Sequence, residues 1–490
     1  MPVRPLKNQR LSDDEFFRER EEVLAQWPTG KDVDLEDGIA FTRSLPDSKV
    51  FAKKLAVAKR NGDTLIQSYN GTPTLEGQIE LVKHLVEEGG ADLCSTHVDA
   101  FTRNQMYPKA KEALKESEKL GKAMLNGFPV LIHGVAANRK LIEAYPVPSR
   151  VSGCSCDWRL NAEVAFAGGH TSITSGPFFP FFGYNRDTTI ELTIRNWQYL
   201  YRLIGYYEQG GAQIVSRPDG VASACYLSPP STGDSCKIIE ALLGAEQGVK
   251  RVSFVGWTGG NLAQDLAGAI VLPRLGREYL DRFGHQDVEI FTMSHSMLGR
   301  YPYDPARAFA VLSSGPLVAA LAGLQEVCIM TIDEAHEIPG KENNAASMRC
   351  GKMVINLYKG QKLGLEETGA VKTEVLIQEM ELRSIVDRVL ELGDGDVAVG
   401  SVRAVEAGVL DMPFSGARGA AHLVLGVRDA QGAQRFLNHG NLPFSKEIVD
   451  FHKEKIAERA RKQNREISYD AVIKDLVSVS EGQLVSRNAE

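Results

Sequence analysis

The sequence predicts an α/β fold built on a (β/α)8 TIM-type barrel, with an N-terminal helical arm and a helix-rich C-terminal extension. Three observations support this prediction. Residues 61–340 alternate between short apolar, β-branched runs and longer amphipathic stretches, as in a parallel sheet covered by helices. The alternation gives about eight units over about 250 residues, which is the size of such a barrel. Residues 1–60 and 341–490 lack this alternation and have helical patterns instead.

The composition is ordinary for a globular protein and argues against several classes of function. Of the 490 residues, 43% are hydrophobic and 24% are charged, and 56 basic against 63 acidic residues give a net charge of −7. Nucleic-acid binding needs a basic face, so this balance argues against it. No apolar run approaches the roughly 20 residues of a membrane span, and the N-terminus has no apolar signal-peptide core. Seven cysteines suit a reducing compartment, so we expect a cytoplasmic protein.

The arm at residues 1–60 opens with the pattern of a helix start. Ser12 is followed three residues later by Glu15. In such a capping box, the serine hydroxyl and the glutamate carboxylate satisfy N–H groups that the first turn leaves free. We therefore expect a helix that begins directly after Ser12.

Nine segments of the barrel region have the composition of strands. Amphipathic stretches at 190–209 and 236–247 would cover them as helices. The nine segments are TLIQSY (64–69), ADLCST (91–96), PVLIH (129–133), PSRVS (148–152), GHTSI (169–173), ASACYL (222–227), RVSFV (251–255), DVEIFTM (287–293) and EVCIMTI (326–332). A barrel of this type has eight strands, so one segment is surplus. A doubly wound open sheet is the alternative, but its glycine-rich dinucleotide fingerprint is missing.

The extension at 341–490 has a different pattern. A long helical stretch at 346–392 leads into Gly- and Ala-rich sequence and then into a basic helical segment that begins at LPFSKEIVDFHKEK. A basic run of this kind is typical of a solvated helix face. We interpret it in that way rather than as a binding site.

Several polar residues and one glycine fall at predicted strand ends, where a barrel of this type has its active site. They are Tyr69 and Gly71 after the first strand, Arg103 after the second, Asn126 before the third, Arg150 at the fourth and Glu334 after the last. Two arginines that converge from neighbouring strands would bind a carboxylate, because the guanidinium fork matches carboxylate geometry. The alternative for each arginine is a salt bridge at the surface or at an interface.

Three further segments give weaker signals. Cys154 and Cys156 have no second Cys or His pair at zinc-site spacing, which favours ordinary thiols. The segment from Trp257 to Gly260 resembles a phosphate-binding helix start but lacks the P-loop pattern. The segment PFFPFF (177–182) cannot be a regular strand, and exposure of its rings would be costly. Its phenylalanines either line a pocket or cofactor, or belong to the core.

Several long segments carry a resemblance to a known family. Among them are REEVLAQWPTGKDVDLEDGI, EEGGADLCSTHVDAFTRNQ, RNWQYLYRLIGYYEQGG, ALLGAEQGVKRVSFVGWTGGNLAQD, DEAHEIPGKENNAAS and LGDGDVAVGSVRAVEAGVLDMPF. In this order, and over nearly the whole chain, they resemble the epsilon subunit of glutamate mutase (methylaspartate mutase). The resemblance implies a (β/α)8 barrel that binds a small carboxylic acid and the adenosyl side of adenosylcobalamin. The reaction that it implies is a radical rearrangement of the carbon skeleton.

The resemblance also implies a partner. In the family, a small cobalamin-binding subunit supplies the histidine lower ligand from a D-x-H-x-x-G motif. That motif is absent here, since Asp333-Glu334-Ala335-His336 has the wrong spacing. We therefore expect no metal ligand in this chain, a homodimer of large subunits and a heterotetramer with the small one.

Residue by residue, the resemblance implies a partly retained site. The family's carboxylate-binding arginines correspond to Arg103 and Arg150, and a substrate-contacting tyrosine to Tyr184. The cofactor-contacting positions correspond to Gly71, Asn126, Glu334 and Ile338, with Tyr301 where the family has phenylalanine. In this assignment, Glu334 accepts hydrogen bonds from the ribose of the adenosyl group.

Other positions differ from the family pattern. A third carboxylate-binding arginine falls at Tyr69, the glutamate that binds the substrate amino group falls at Thr174, and a lysine near the ribose falls at Met330. Because these changes remove one cation and one anion from the substrate side, glutamate is expected to fit poorly. The sequence therefore favours a shifted carboxylic acid substrate in a specialised biosynthetic pathway. The alternatives are a true glutamate mutase with compensating residues and a non-catalytic cobalamin- or partner-binding homologue.

Overall fold

In the computed structural model, which describes residues 4–296, 299–334, 339–361, 363–367 and 369–486, eight short parallel strands form a barrel. The strands are β1 (Leu65–Ser68), β2 (Cys94–His97), β3 (Ser149–Ser152), β4 (Ser172–Ser175), β5 (Val215–Pro218), β6 (Arg251–Trp257), β7 (Glu289–His295) and β8 (Glu326–Ile329). Each strand pairs with its neighbours in sequence, and β1 pairs with β8. Bridges from Gln67 to Leu93 and from Asn70 to Thr96 join β1 to the β2 segment and close the ring. The predicted eight-stranded α/β barrel is confirmed.

Helices surround the barrel, precede it and follow it. In chain order they are α1 (Asp13–Leu24), α2 (Leu35–Ser44), α3 (Phe51–Asn61), α4 (Leu75–Glu87), α5 (Ala100–Arg103), α6 (Tyr107–Leu120), α7 (Val130–Ala144), α8 (Arg159–Ala167), α9 (Phe178–Tyr184), α10 (Ile190–Gln209), α11 (Pro230–Gln247), α12 (Leu262–Arg282), α13 (Pro305–Leu312), α14 (Ser314–Ala322), α15 (Lys341–Tyr358), α16 (Gly369–Leu392), α17 (Val397–Glu406), α18 (Lys446–Gln463) and α19 (Tyr469–Ser478). The predicted helix at 190–209 coincides with α10, and the one at 236–247 lies within α11.

Seven of the nine predicted strand segments overlap strands of the barrel, and two are wrong. The segment 129–133 opens helix α7, and the segment 222–227 contains a 3-10 turn at Ser223–Tyr226. An apolar run of five or six residues fits a buried helix as well as a strand, which explains both errors. One strand was missed, because β5 consists of Val215, Ser216, Arg217 and Pro218 and has only one apolar β-branched residue.

The arm closes the amino-terminal end of the barrel. Its first helix starts with the predicted capping box, in which Ser12 Oγ accepts from the Glu15 amide and Glu15 accepts from the Ser12 amide. Helix α1 packs on α8. At the start of α3, the buried Phe51 ring lies among residues at the amino ends of the strands, including Leu93, Val215 and Phe291.

The C-terminal region packs on one side of the barrel. The predicted helical stretch 346–392 is divided between α15 and α16, and α16 packs on α11 and α12. An antiparallel pair of strands, β9 (Val424–Arg428) and β10 (Gln434–His439), was not predicted in this helix-rich region. The residues Pro305–Ala322 have the mean hydropathy of a membrane span, 1.3, but fold as the two short helices α13 and α14, and α14 packs on β7 and β8.

Candidate active site at the barrel mouth

A cavity of about 250 Å³ opens at the carboxyl ends of β1, β2 and β8. Four residues predicted from the sequence line it: Tyr69, Gly71, Asn126 and Glu334. They meet because parallel strands end at the same face of the barrel. We refer to this space as the first cavity.

Two glycines shape the floor of the first cavity. A Cβ on Gly71 would lie 2.5 Å from the carbonyl oxygen of His97, and one on Gly127 would lie 2.7 Å from the same oxygen. Only glycine therefore allows these backbone segments to approach one another. Asn126 is exposed beside them, and its Oδ1 accepts from the Ala100 amide at 2.9 Å, which fixes the start of α5.

The first cavity has polar atoms that suit a nucleoside. His97 Nδ1 and Asn344 Oδ1 are buried and find no hydrogen-bond partner among the described residues. Burial, together with the nearby Asp333, raises the pKa of the Glu334 carboxyl to about 7. Because unpaired buried polar atoms are costly, these groups fit a ligand that offers both donors and acceptors, such as a ribose. No described group of three or more Cys, His, Asp or Glu could hold a metal ion.

Three other predicted cofactor positions lie elsewhere or outside the described residues. Tyr301 and Met330 are buried in a small apolar cluster behind β1 and β8. Burial, together with the charge of Glu334, raises the pKa of Tyr301 well above its usual value. Met330 belongs to the same core and offers no polar group. Ile338 lies outside the described residues.

A second cavity, of about 340 Å³, adjoins the ends of β2, β3 and β4. It is lined by Arg103, Tyr184, Pro180 and Cys154, among others. The guanidinium of Arg103 lies 5.8 Å from the centre of the Tyr184 ring, and Tyr184 is 61% exposed. Arg103 Nε is buried without a hydrogen-bond partner, and none of the described carboxylates forms an ion pair with Arg103. This cation is therefore available to an anionic ligand.

Arg150 and Arg103 do not converge in this structure, contrary to the prediction from the sequence. Its Nη1 and Nη2 both bind Glu326, the latter at 3.1 Å, and its Nε donates to Ser172 Oγ at 2.9 Å. Its guanidinium also stacks on the Phe51 ring, 4.5 Å from the centroid, at the amino end of the barrel. All three nitrogens are occupied and the side chain points away from the mouth, so the two-arginine clamp of Arg103 and Arg150 is not formed in this structure.

The phenylalanine-rich segment forms helix α9, and its rings are largely core. Phe178, Phe181 and Phe182 are almost fully buried. Phe179 reaches toward the mouth, where its ring lies 5.4 Å from Tyr184 and 6.1 Å from Trp257. Pro180 on the same helix lines the second cavity. Of the two interpretations left open by the sequence, the core therefore accounts for the rings, since Phe179 also belongs to the buried core cluster and only Pro180 of this segment lines the second cavity.

The glycine loop after β6 does not present free amides. The Gly259 and Gly260 N–H groups donate to Asp265 at 2.8 and 3.0 Å. This internal acceptor occupies the groups that would bind a phosphate. Cys154 and Cys156 are free thiols, in agreement with the interpretation from their spacing.

Tyr69 and Thr174 lie inside the mouth, and an arginine that sequence reasoning missed lies beside them. Thr174 is buried and pairs in register with Arg217 on β5. Burial raises the pKa of Tyr69 well above its usual value, while the charges of Arg103 and Arg217 oppose that shift. Tyr69 therefore lies near both guanidinium groups. Arg217 forms an ion pair with Asp219, with Nη2 2.8 Å from Oδ1, and both residues are 2% exposed.

Comparisons with known proteins give sequence matches along nearly the whole chain. The family described as "Methylaspartate mutase E chain (MutE)" matches residues 45–488. The chain belongs to this family. It is 43% identical over 482 residues to a glutamate mutase epsilon subunit of Desulfitobacterium hafniense, covering 98% of this chain and 99% of that one. A protein of the same name from Treponema denticola is 39% identical over 484 residues, with 99% of each chain covered.

A third relative has a lower identity over a similar length. The glutamate mutase epsilon subunit of Haloarcula marismortui is 37% identical over 480 residues, covering 98% of this chain and 96% of that one. As a member of the methylaspartate mutase E chain family, this protein is a mutase chain, and mutases are isomerases. Its sequence contains one Asp-x-His, at Asp450 and His452, but Lys455 stands where the lower-ligand motif requires glycine. His452 is also buried on α18, where its Nε2 lies 2.7 Å from Glu381.

Proposed function

We propose that this chain is the large, catalytic subunit of an adenosylcobalamin-dependent carbon-skeleton mutase that rearranges a small carboxylic acid. The observation that carries the proposal is the pair of cavities at the barrel mouth, one with the polar atoms for a nucleoside and one with a guanidinium that forms no ion pair with any described carboxylate. Tyr69 lines the first cavity. Burial raises the pKa of its hydroxyl, and the charge of Arg103 opposes this increase. In this proposal, the ligands of the two cavities meet on the side of Tyr69 that faces the barrel mouth.

The cofactor would be held in the first cavity. Adenosylcobalamin, when bound, supplies a carbon radical that abstracts hydrogen from the substrate. Glu334 would accept hydrogen bonds from the two ribose hydroxyls, and Gly71 and Gly127 would keep the backbone beneath the adenosyl group closely packed against the His97 carbonyl. Asn126 and Asn344 would satisfy its remaining donors and acceptors.

The substrate would be held in the second cavity. Arg103 would bind the substrate carboxylate through two parallel hydrogen bonds, which fixes the reacting carbons relative to the first cavity. Tyr184 and Phe179 would cover the substrate with apolar surface. Exclusion of water by these rings would protect a reactive intermediate from side reactions.

A second protein would complete the site. The chain lacks the D-x-H-x-x-G motif, so a small cobalamin-binding subunit would supply the histidine lower ligand and cover the barrel mouth. We propose a homodimer of large subunits within a heterotetramer, and a location in the cytoplasm.

Cofactor binding with and without the small subunit tests this function. We expect the isolated chain to bind adenosylcobalamin poorly, and the chain with its small subunit to bind it and to form cob(II)alamin when a substrate acid is added. Electron paramagnetic resonance detects both the histidine ligation and the cob(II)alamin. Tight stoichiometric binding with histidine ligation by this chain alone would contradict the proposed division of labour. Absence of cob(II)alamin with every acid tried would favour the non-catalytic alternative.

A further inference from the structure

The buried pair Arg217–Asp219 at the carboxyl end of β5 has no role in the site described so far. We propose that this pair binds the head group of an α-amino acid, with the substrate carboxylate on Arg217 and the substrate ammonium on Asp219. The proposal rests on the proposed function and names its substrate class, an amino acid with a second anionic group for Arg103. Nothing in the family resemblance assigns either residue to the site.

The position of Arg217 supports this role. Arg217 and Thr174 are paired in register on neighbouring parallel strands, so their side chains project from the same face of the sheet. Across the barrel, the charge of Arg217 acts on Tyr69. Arg217 therefore lies directly beside Thr174, the position at which the sequence differs from the family in an anion.

The hydrogen bonding of Arg217 is incomplete. Its Nε and Nη1 are buried and find no partner within the described part of the chain, although Nη2 pairs with Asp219. A guanidinium cannot lose its charge at physiological pH, so its buried N–H groups require acceptors. A carboxylate that enters the mouth from the side of Tyr69 would supply them.

The charge of the pair selects the ligand. Arg217 and Asp219 neutralise each other, and nearby Lys237 is already paired with Asp234 at 2.6 Å. A plain carboxylate on Arg217 would therefore face the negative charge of Asp219 in a buried site, which is unfavourable. An α-amino acid head group carries an ammonium beside its carboxylate and matches both charges.

The pair changes what the substitutions at Tyr69 and Thr174 imply. Those positions lost one cation and one anion, and Arg217 and Asp219 supply one of each from the next strand. Arg103 remains as an unpaired cation for a second anionic group. The expectation that glutamate fits poorly rested on positions 69 and 174 and did not include this pair, so we infer that the amine is retained in the substrate.

The test compares glutamate with glutarate, which lacks the amine, on the large chain together with its small subunit and adenosylcobalamin. Calorimetry measures binding of each ligand, and electron paramagnetic resonance measures cob(II)alamin. We expect the parent protein to bind glutamate at least about tenfold more tightly than glutarate, since an unmatched buried charge opposes the latter. In Asp219→Asn this preference should disappear, mainly through weaker glutamate binding. In Arg217→Lys both ligands should bind at least about tenfold more weakly, because the fork is lost.

Asp219→Glu provides the rescue variant and Arg274→Lys, on the outer face of α12, the matched control. We expect part of the glutamate preference to return in the former and no change in the latter. Equal binding of glutarate and glutamate by the parent protein would overturn the proposal, as would an Asp219→Asn variant that weakens both ligands equally. Glutamate binding that depends on Asp219 without any cob(II)alamin would support the amino-acid site and contradict the proposed mutase function.

Discussion

Two buried arginine–carboxylate pairs lie inside the same barrel, and they differ in how completely they are hydrogen-bonded. Arg150 has all three nitrogens occupied, by Glu326 and Ser172. Arg217 has one nitrogen paired with Asp219 and two without partners in the described residues. Both arginines are almost inaccessible to solvent.

The difference separates a structural pair from a candidate binding pair. Glu326 also accepts from Gln67 and Ser253, so its carboxylate and all three Arg150 nitrogens have partners, although Gln67 Oε1 in the same network has none among the described residues. A satisfied buried network fixes the geometry of a core, whereas an unsatisfied one is costly unless a ligand completes it. Whether the N–H groups of a buried arginine have hydrogen-bond partners is therefore more informative about function than burial alone.

The largest expected effect is on the satisfied pair. Glu326→Leu leaves the Arg150 charge buried without a partner, which we expect to lower the free energy of unfolding by about 3–5 kcal/mol. Urea denaturation followed by circular dichroism measures the loss. A variant as stable as the parent protein would mean that water or another carboxylate reaches Arg150, contrary to the structure.

Removal of both charges sharpens the comparison. Arg217→Met with Asp219→Leu should be neutral or should stabilise the chain, because the N–H groups that lack partners are removed with the pair. Arg150→Met with Glu326→Leu should be less stable by about 2 kcal/mol than that first double variant, because Ser172, Gln67 and Ser253 each lose a partner. The same denaturation experiment compares the two. Similar losses in both would show that the pairs are equivalent.

Replacement of each arginine by lysine separates binding from stability. Arg103→Lys keeps the charge but loses the two-pronged fork, so we expect kcat/KM of the reconstituted enzyme to fall at least tenfold, about 1.4 kcal/mol, with an unchanged melting temperature. Arg150→Lys should instead lower the melting temperature. Normal turnover by Arg103→Lys would assign Arg103 a structural role.

The smallest expected effect concerns Glu334 and depends on pH. The pKa of its carboxyl is raised to about 7 in the folded chain, above the usual value of about 4.3. As the pH rises from about 4.3 to 7, the unfolded chain therefore ionises first and the folded state loses stability. Glu334→Gln removes this loss, so the variant should be more stable than the parent by about 1 kcal/mol at pH 8, after allowance for solvent at the cavity rim, and equal to it at pH 4. A constant difference at all pH values would contradict the raised pKa.

Most of the barrel could be predicted from sequence, since seven of its strands overlap segments predicted from the alternation of short apolar runs and amphipathic stretches. The exceptions have a physical cause. Segment 129–133 is a buried helix start, which has the same short apolar run as a strand. β5 contains an arginine and ends in a proline, a residue that is atypical of strands within a sheet.

The missed strand also explains the missed part of the site. Because the sequence predicted a strand at 222–227 instead, Arg217 was assigned to a loop and was not considered as a residue of the barrel mouth. Residues that follow correctly placed strands, such as Tyr69, Gly71 and Glu334, do meet in one cavity. The direction of a side chain within a strand could not be predicted either, because Arg150 binds a partner from β8 that lies far away in sequence.

Phe51 leaves the barrel open at one end only. Its ring, buried beneath the Arg150 guanidinium, seals the end opposite the mouth. In the proposed assembly, small molecules would then enter from the same end as the small cobalamin-binding subunit. We expect an ordered binding sequence, in which the acid binds first and the small subunit binds over it. If the complex is assembled without substrate and the acid is added afterwards, turnover should accordingly begin only after a lag.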